Sequence, residues 1–246
     1  MEDISPFDVR LARFMEMRNI DVSSRDGLSE AEIRPVIEGV TPTPQLLDRL
    51  AGTLGLHVQD LIVLAGLPVP EELSPLDPAA ASSTTSIAFA AVTLPRERTR
   101  ELIQLVQALP QEERRKSVPQ PKQYSPGPGT LLLGLLDNRN LARYHTAKAT
   151  YLGSRGTIYL SEATVHQALV RNKQLTTEMF TGLANVIGIP PGELAVLTGF
   201  DMEPSPSLSQ AVPAIVAELI WLLRRLSSEQ ARHVWSVARS MLQEES

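Results

Sequence analysis

The chain contains no cysteine, which excludes structural disulfides and thiolate metal sites and suits a reducing compartment. Histidine is almost as scarce: it occurs at positions 57, 145, 166 and 233, and no two stand three or four residues apart as a helical metal site would need. Neither a metal nor a cofactor is expected. Long apolar runs are missing too. The longest, AVPAIVAELIWLLRRL, is interrupted by Glu218 and falls short of the roughly 20 residues that cross a bilayer, so it reads as a buried helix. The opening MEDISPFD is acidic, without the basic start and apolar stretch of a secretory signal. A cytoplasmic protein with no membrane segment is the expectation. Alternating β-branched residues hardly occur, TIYL at 157–160 being the one trace, and an all-α fold follows. No nucleophile, base and orienter can be assembled. Glu112 with Glu113, and Glu244 with Glu245, read as solvated helix ends. PGPGTLLLG from Pro126 lacks the Gly-Lys-Ser/Thr ending of a phosphate loop. An enzyme is not expected.

What is present is a pattern that occurs twice. Leu28-Ser29-Glu30-Ala31 matches Leu160-Ser161-Glu162-Ala163, with apolar Ile33 and Val165 after them. Leu50-Ala51, Gly55-Leu56, Asp60-Leu61, Leu64 and Gly66 then fall in register with Leu183-Ala184, Gly188-Ile189, Glu193-Leu194, Leu197 and Gly199. A third block pairs ELIQLVQALPQEERR from Glu101 with ELIWLLRRLSSEQAR from Glu218. Three blocks in one order indicate a two-unit tandem duplication rather than a solenoid, which needs at least three copies. Stretches rich in Pro, Ser and Gly at 66–86 and 117–129, and DMEPSPSLSQAVP at 201–213, read as linkers. Within each unit the apolar spacing is helical, as at Phe7, Leu11 and Phe14 or Leu47, Leu50 and Leu54. Ser29 and Ser161 are suited to cap helices.

The ending of each unit, with Leu183, Ala184, Gly188, Ile189, Glu193 and Leu194 in the second, resembles the Cro/CI-type (XRE) helix-turn-helix family. The resemblance covers residues 7–67 and 131–200. It implies two tandem five-helix domains, with LSEATVHQAL as the recognition helix of the second, and DNA binding as a dimer or paired reader. Three departures stand out: the interval from Asn19 to Ser29 is too short for the family's usual second helix plus turn, Pro35 falls inside the presumed recognition helix of the first unit, where it would bend the chain, and YLGSRGTIYLS lengthens the second unit between its second and third helices, enough for a small wing or hairpin. The chain then divides into a degenerate helix-turn-helix-like unit at 1–67, a linker at 68–86, a helical segment at 87–116, a linker at 117–129, a DNA-binding unit at 130–200, a linker at 201–213, and a helical hairpin at 214–246 for pairing or dimerisation.

Charge separates the two units. The net charge of −5 lies wholly in residues 1–130, with 13 basic and 18 acidic side chains, against 10 of each in 131–246. Residues 1–43 have net −4, while Arg139, Arg143, Lys148, Arg155, Arg171 and Lys173 against Glu162 give 139–173 net +5. Double-stranded DNA is therefore the expected partner of the second unit, read by a helix whose first turn reaches base edges. Helical spacing turns Val165 and Leu169 inward and leaves Glu162, Ala163, His166 and Gln167 toward a groove, with Ser161 at the cap. By the resemblance, Glu162, Ala163 and Gln167 occupy base-reading positions, and Arg143, Arg171 and Lys173 match phosphate contacts. The bland reading of the same residues is a solvated polar face. His166 reads as an ordinary exposed histidine before it reads as a pH sensor. At the carboxyl end, Leu219, Trp221, Leu222, Leu226 and Trp235 form a pairing surface, either for the counterpart helix of the same chain or for a homodimer. A protein–protein adaptor, with the acidic first unit holding a protein partner, is the alternative function.

Overall fold

Every regular element in the described residues is helical. The computed structural model describes residues 4–20, 29–114, 126–141, 145–171, 175–203 and 214–245. Among them thirteen α-helices and two 3-10 turns occur and no strand. The first unit holds α1 (Phe7–Met17), α2 (Glu30–Ile37), α3 (Pro44–Leu54) and α4 (Val58–Leu64), followed by α5 (Ala81–Thr93) and α6 (Arg96–Ala108). The second holds α7 (Pro128–Asp137), α8 (Thr146–Gly153), α9 (Glu162–Arg171), α10 (Thr177–Ile187) and α11 (Pro191–Thr198), followed by α12 (Ala214–Leu223) and α13 (Ser228–Glu244). None of these helices alone is long and apolar enough to cross a membrane.

Positions matched in the sequence carry the same local chemistry. Thr43 and Thr176 cap α3 and α10, each hydroxyl accepting from the backbone N–H three residues on at 3.3 Å. Gly55 and Gly188 end those helices in the left-handed conformation, at φ 64° and 83°, where a side chain would be strained. Ser29 and Glu32 form a capping box at α2. Pro35 does not break α2, which closes two residues later through Gly39 and Val40 bonding back to Val36 and Pro35.

The units exchange arginines. The turn Arg18-Asn19 after α1 and the turn Arg139-Asn140 after α7 both place asparagine at positive φ, 50° and 57°. Arg18 donates Nη1 to the last carbonyl of α3, Leu54 O, at 2.6 Å and forks onto Glu193 of α11, in the other unit. Arg139 donates Nε to the last carbonyl of α10, Ile187 O, at 2.9 Å and forks onto Asp60 of α4, again across the units. Each arginine thus closes its own unit and holds the acidic residue that Asp60 and Glu193 share in the sequence register. The two clamps differ in burial. Asp60 and Arg139 have 0% and 1% of their side chains exposed, whereas Arg18 and Glu193 have 30% and 21%. Arg10 joins α4 to α11 in the same way, donating to Leu64 O and Leu197 O. Burial lowers its pKa to about 10, against the opposing pull of Asp8. Around these contacts α1 packs on α11 and α4 on α7.

The segment at 68–86 departs from the expected linker. Residues 81–86 are the first turns of α5, an alanine-rich helix in which Thr85, Ser86 and Thr93 return their hydroxyls to carbonyls four residues back. The stretch before it is tied down: Arg114 donates to the carbonyls of Glu71, Ser74, Pro75 and Leu76, and Asp77 accepts from Ser228 N. The backbone before α5 carries 3-10 turns at Glu71–Leu73 and Pro78–Ala80, and these polar anchors hold it in place.

Helices α5, α6, α12 and α13 pack together as a bundle. Leu219 and Leu226 are buried in it, and Leu222 and Trp235 pack against the core. Within one chain, the surface expected for pairing thus packs against the chain's own helices. Trp221 reaches the first unit. Its ring stacks on His57 at 3.5 Å and 4°, with the guanidinium groups of Arg224 and Arg139 at 4.5 and 5.0 Å. Burial pulls the His57 pKa below 6.5, with Asp60 opposing and the two arginines assisting.

Two outcomes follow. Asp60→Asn, which leaves Arg139 buried without its anion, lowers unfolding stability by about 3–5 kcal/mol, whereas Glu193→Gln at the wetter clamp costs about 1 kcal/mol or less; chemical denaturation measures both. His57 is harder to protonate folded than unfolded, so its contribution to stability is complete above pH 6.5 and is lost as pH falls below that value. Denaturation midpoints across that range should drop more for the unchanged protein than for His57→Phe, which keeps a ring on Trp221 and cannot titrate.

Candidate nucleic-acid interface

The second unit presents α9 as an amphipathic helix on a fixed base. Ser161 begins it, its Oγ accepting from Thr164 N at 3.2 Å. Val165, Ala168 and Leu169 are buried, and the helix packs on α7 and α8. Ala163, Gln167 and Arg171 are exposed. Their spacing of four aligns them as one stripe along the outer face. His166 is half-buried.

Glu162 has a different role from the one its position suggests. Its carboxylate accepts from Thr146 N and Ala147 N at 2.9 Å each, and from the Thr146 hydroxyl. It therefore caps the amino terminus of α8, where free N–H groups and the helix dipole favour an anion. A carboxylate held that way does not face outward to accept from a cytosine amino group, and its charge is turned into the protein. Next to it His145 is half-buried, its pKa lowered by burial and by Lys148.

The other end of α8 is set by glycine. Gly153 lies against Gly182 of α10 so closely that a Cβ on Gly153 would stand 1.7 Å from the Gly182 carbonyl oxygen, and Asn185 Nδ2 donates to Gly153 O at 3.2 Å. Only a residue without a side chain permits this contact. The lengthened segment then forms a turn, not the expected wing: 154–161 contains no strand. Gly156 N bonds to Tyr151 O at 2.8 Å and Ser154 Oγ accepts from Ile158 N at 3.1 Å. Tyr159 stands out from this turn, 87% exposed.

Of the six cations counted for the basic segment, Lys148, Arg155 and Arg171 are exposed. Arg139 is not on this face, being buried on Asp60. Arg143 and Lys173 lie outside the described residues. In the first unit the equivalent helix α2 is different in kind. Its Glu32 is paired with Arg49 at 2.5 Å, and hydrogen bonds from Arg49 and then Ser29 hold its carboxyl down to about 2. Ile37 and Val40 are exposed there.

The clamp arginines were the main functional geometry missed at the level of sequence. The signal was present as Arg18-Asn19-Ile20 and Arg139-Asn140-Leu141, but at a different offset from the blocks that defined the register. Among the described residues no group of acidic and histidine side chains could hold a metal ion. No protein-family model, curated protein or solved structure matches the chain.

Removing the α8 cap by Glu162→Ala should lower stability by about 1–2 kcal/mol. Gly153→Ala should cost at least about 1–3 kcal/mol, because backbone must move to admit the methyl group. Thermal or chemical denaturation of the purified variants checks both.

Proposed function

We propose that this chain is a sequence-specific DNA-binding regulator built from two duplicated Cro/CI-like helical units, with the second unit as the reader. The observation that carries the reading is the outward stripe Ala163, Gln167 and Arg171 on α9, flanked by exposed Lys148 and Arg155, with the nearby carboxylate of Glu162 turned inward. In this reading α9 is the recognition helix. Gln167 offers a donor and acceptor pair suited to adenine, Arg171 a phosphate contact at the far end of the helix, and Ala163 a close approach to the base edges. The first unit serves as the scaffold that fixes α7 and α11 through the two arginine clamps. A single chain is then a pseudo-dimer, because the helices that could pair two copies pair within one.

A second reading is favoured by one observation. Among the described residues, Val9, Met17, Ile37 and Val40 are four of the eight exposed large hydrophobic residues and lie on or just after α1 and α2, in the unit with the acid excess. An adaptor that binds a protein through these residues would use the fold without DNA.

Selection of bound duplexes from a random library, by the unchanged protein and by Gln167→Ala and Arg171→Ala, separates the readings. The regulator enriches one motif, Gln167→Ala changes its preferred bases, and Arg171→Ala weakens all sequences and reduces the salt slope by about 0.9. If no motif is enriched and neither substitution alters binding, the adaptor reading stands and the DNA reading falls.

A further inference from the structure

The turn that precedes α9 has a surface the reader role described above does not use. Three of the eight large hydrophobic side chains exposed among the described residues, Tyr151 at 38%, Tyr159 at 87% and Leu160 at 38%, lie within one stretch at the end of α8 and the start of α9. They are placed, not loose. The Tyr151 ring packs on Phe89 of α5 at 5.9 Å and meets the Tyr159 ring edge-on at 6.0 Å. Gly156, at φ 84°, brings the turn over Tyr151: a Cβ there would lie 3.1 Å from the tyrosine oxygen. Behind Tyr151, α8 packs on α5, so the aromatic pair is backed by the bundle. Exposed Lys148 and Arg155 flank it on the same helix and turn.

Singly exposed apolar residues need no partner, but Tyr151, Tyr159 and Leu160 are exposed together within one short stretch, and clustered exposed apolar surface marks interaction sites. The surrounding charge says which kind. Cations flank the tip, the carboxylate of Glu162 two residues beyond Leu160 is taken up by the α8 cap, and an anionic polymer is the complementary partner. Recognition helices enter the major groove by their amino-terminal end. Tyr159 and Leu160 come just before that end, so they would lead α9 to the floor of the groove, where the apolar feature on offer is the thymine methyl group.

We propose that Tyr159 and Leu160 form an apolar tip that reads thymine methyl groups beside the bases contacted by α9. The inference rests on the DNA-reading assignment of the second unit. It adds a specificity residue outside the recognition helix, and it assigns the lengthened turn a purpose: it carries the tip forward of the α9 cap.

The test uses the full chain and the duplex that it enriches most from a random library, synthesised once with thymine and once with deoxyuridine, which lacks only the methyl group. The unchanged protein should bind the thymine form more tightly, by about fourfold for each methyl group buried. Tyr159→Ser, at a position too exposed to unfold the chain, should weaken binding of the thymine form and narrow the ratio between the two forms, with Leu160 still in place. Arg171→Ala should weaken both and keep their ratio. Equal binding of the two forms by the unchanged protein, or an unchanged ratio in Tyr159→Ser, would overturn the tip while leaving α9 as reader. Failure to enrich any duplex removes the DNA assignment and the tip together. Loss of self-association in Tyr159→Ser, measured by sedimentation with no change in duplex binding, would make the tip a protein contact and also overturn the proposal.

Discussion

The exchange of arginines between the units is the constraint on which the rest of the structure depends. Arg139 is fully buried, and a buried guanidinium is tolerated only when its N–H groups and its charge are all satisfied. Here Asp60 supplies the charge in a two-point fork, Leu135 O and Ile187 O accept two further N–H groups, and the Trp221 ring lies 5.0 Å from the guanidinium carbon. Asn138 donates its side-chain amide to the same Asp60 oxygen. Those partners come from α4, α7 and α10, so satisfying one side chain fixes three helices from both units. Arg18 repeats the arrangement at the other junction with more water around it. Geometry of this kind contributes specificity of docking more than net stability, because only one register leaves no buried charge alone.

From that junction the order is passed outward to the candidate interface. Arg139 ties the last carbonyl of α10, α10 receives α8 through the Gly153–Gly182 contact, and Glu162 ties the start of α8 to the start of α9. Each link uses a different physical means: an ion pair, a close backbone approach and a helix cap. The outcome is that α9 and the turn before it are held by two helices that are themselves held. Trp221 adds a link to the bundle by stacking on His57, so that the carboxyl-terminal helices are fastened to the first unit as well as to each other.

Much of this was legible in the sequence, and the limits have physical reasons. The helical class, the inward positions Val165 and Leu169, and the caps at Ser29 and Ser161 follow from local periodicity and turn chemistry, which act over a few residues. The repeat offers the packing of α12 on α6 as one of two arrangements, the other being a homodimer, and within the chain α12 does pack on α6. The mates of Arg139 and Arg18 did not, since Asp60 and Glu193 lie far along the chain and a charge count cannot tell a buried arginine from one on a surface. Arg139 was counted on the basic face for that reason. Glu162 misled similarly: at the first position of a helix it points outward by periodicity alone, and only the tertiary approach of α8 turns it inward. The 68–86 stretch looked like a linker because its composition buries little, but arginine donors from 114 and 224 satisfy its carbonyls and hold it.

Each arginine closes its own unit on a backbone carbonyl and grips the acid of the other, so the two units should unfold as one body. Native-state hydrogen exchange on the unchanged protein and on Asp60→Asn tests this. The substitution lies in α4 of the first unit, and the buried amides of α10 in the second unit should lose protection by the same factor as those of α3. Loss confined to α3 and α4, with α10 as protected as before, would contradict it and leave two separately folded units that merely touch.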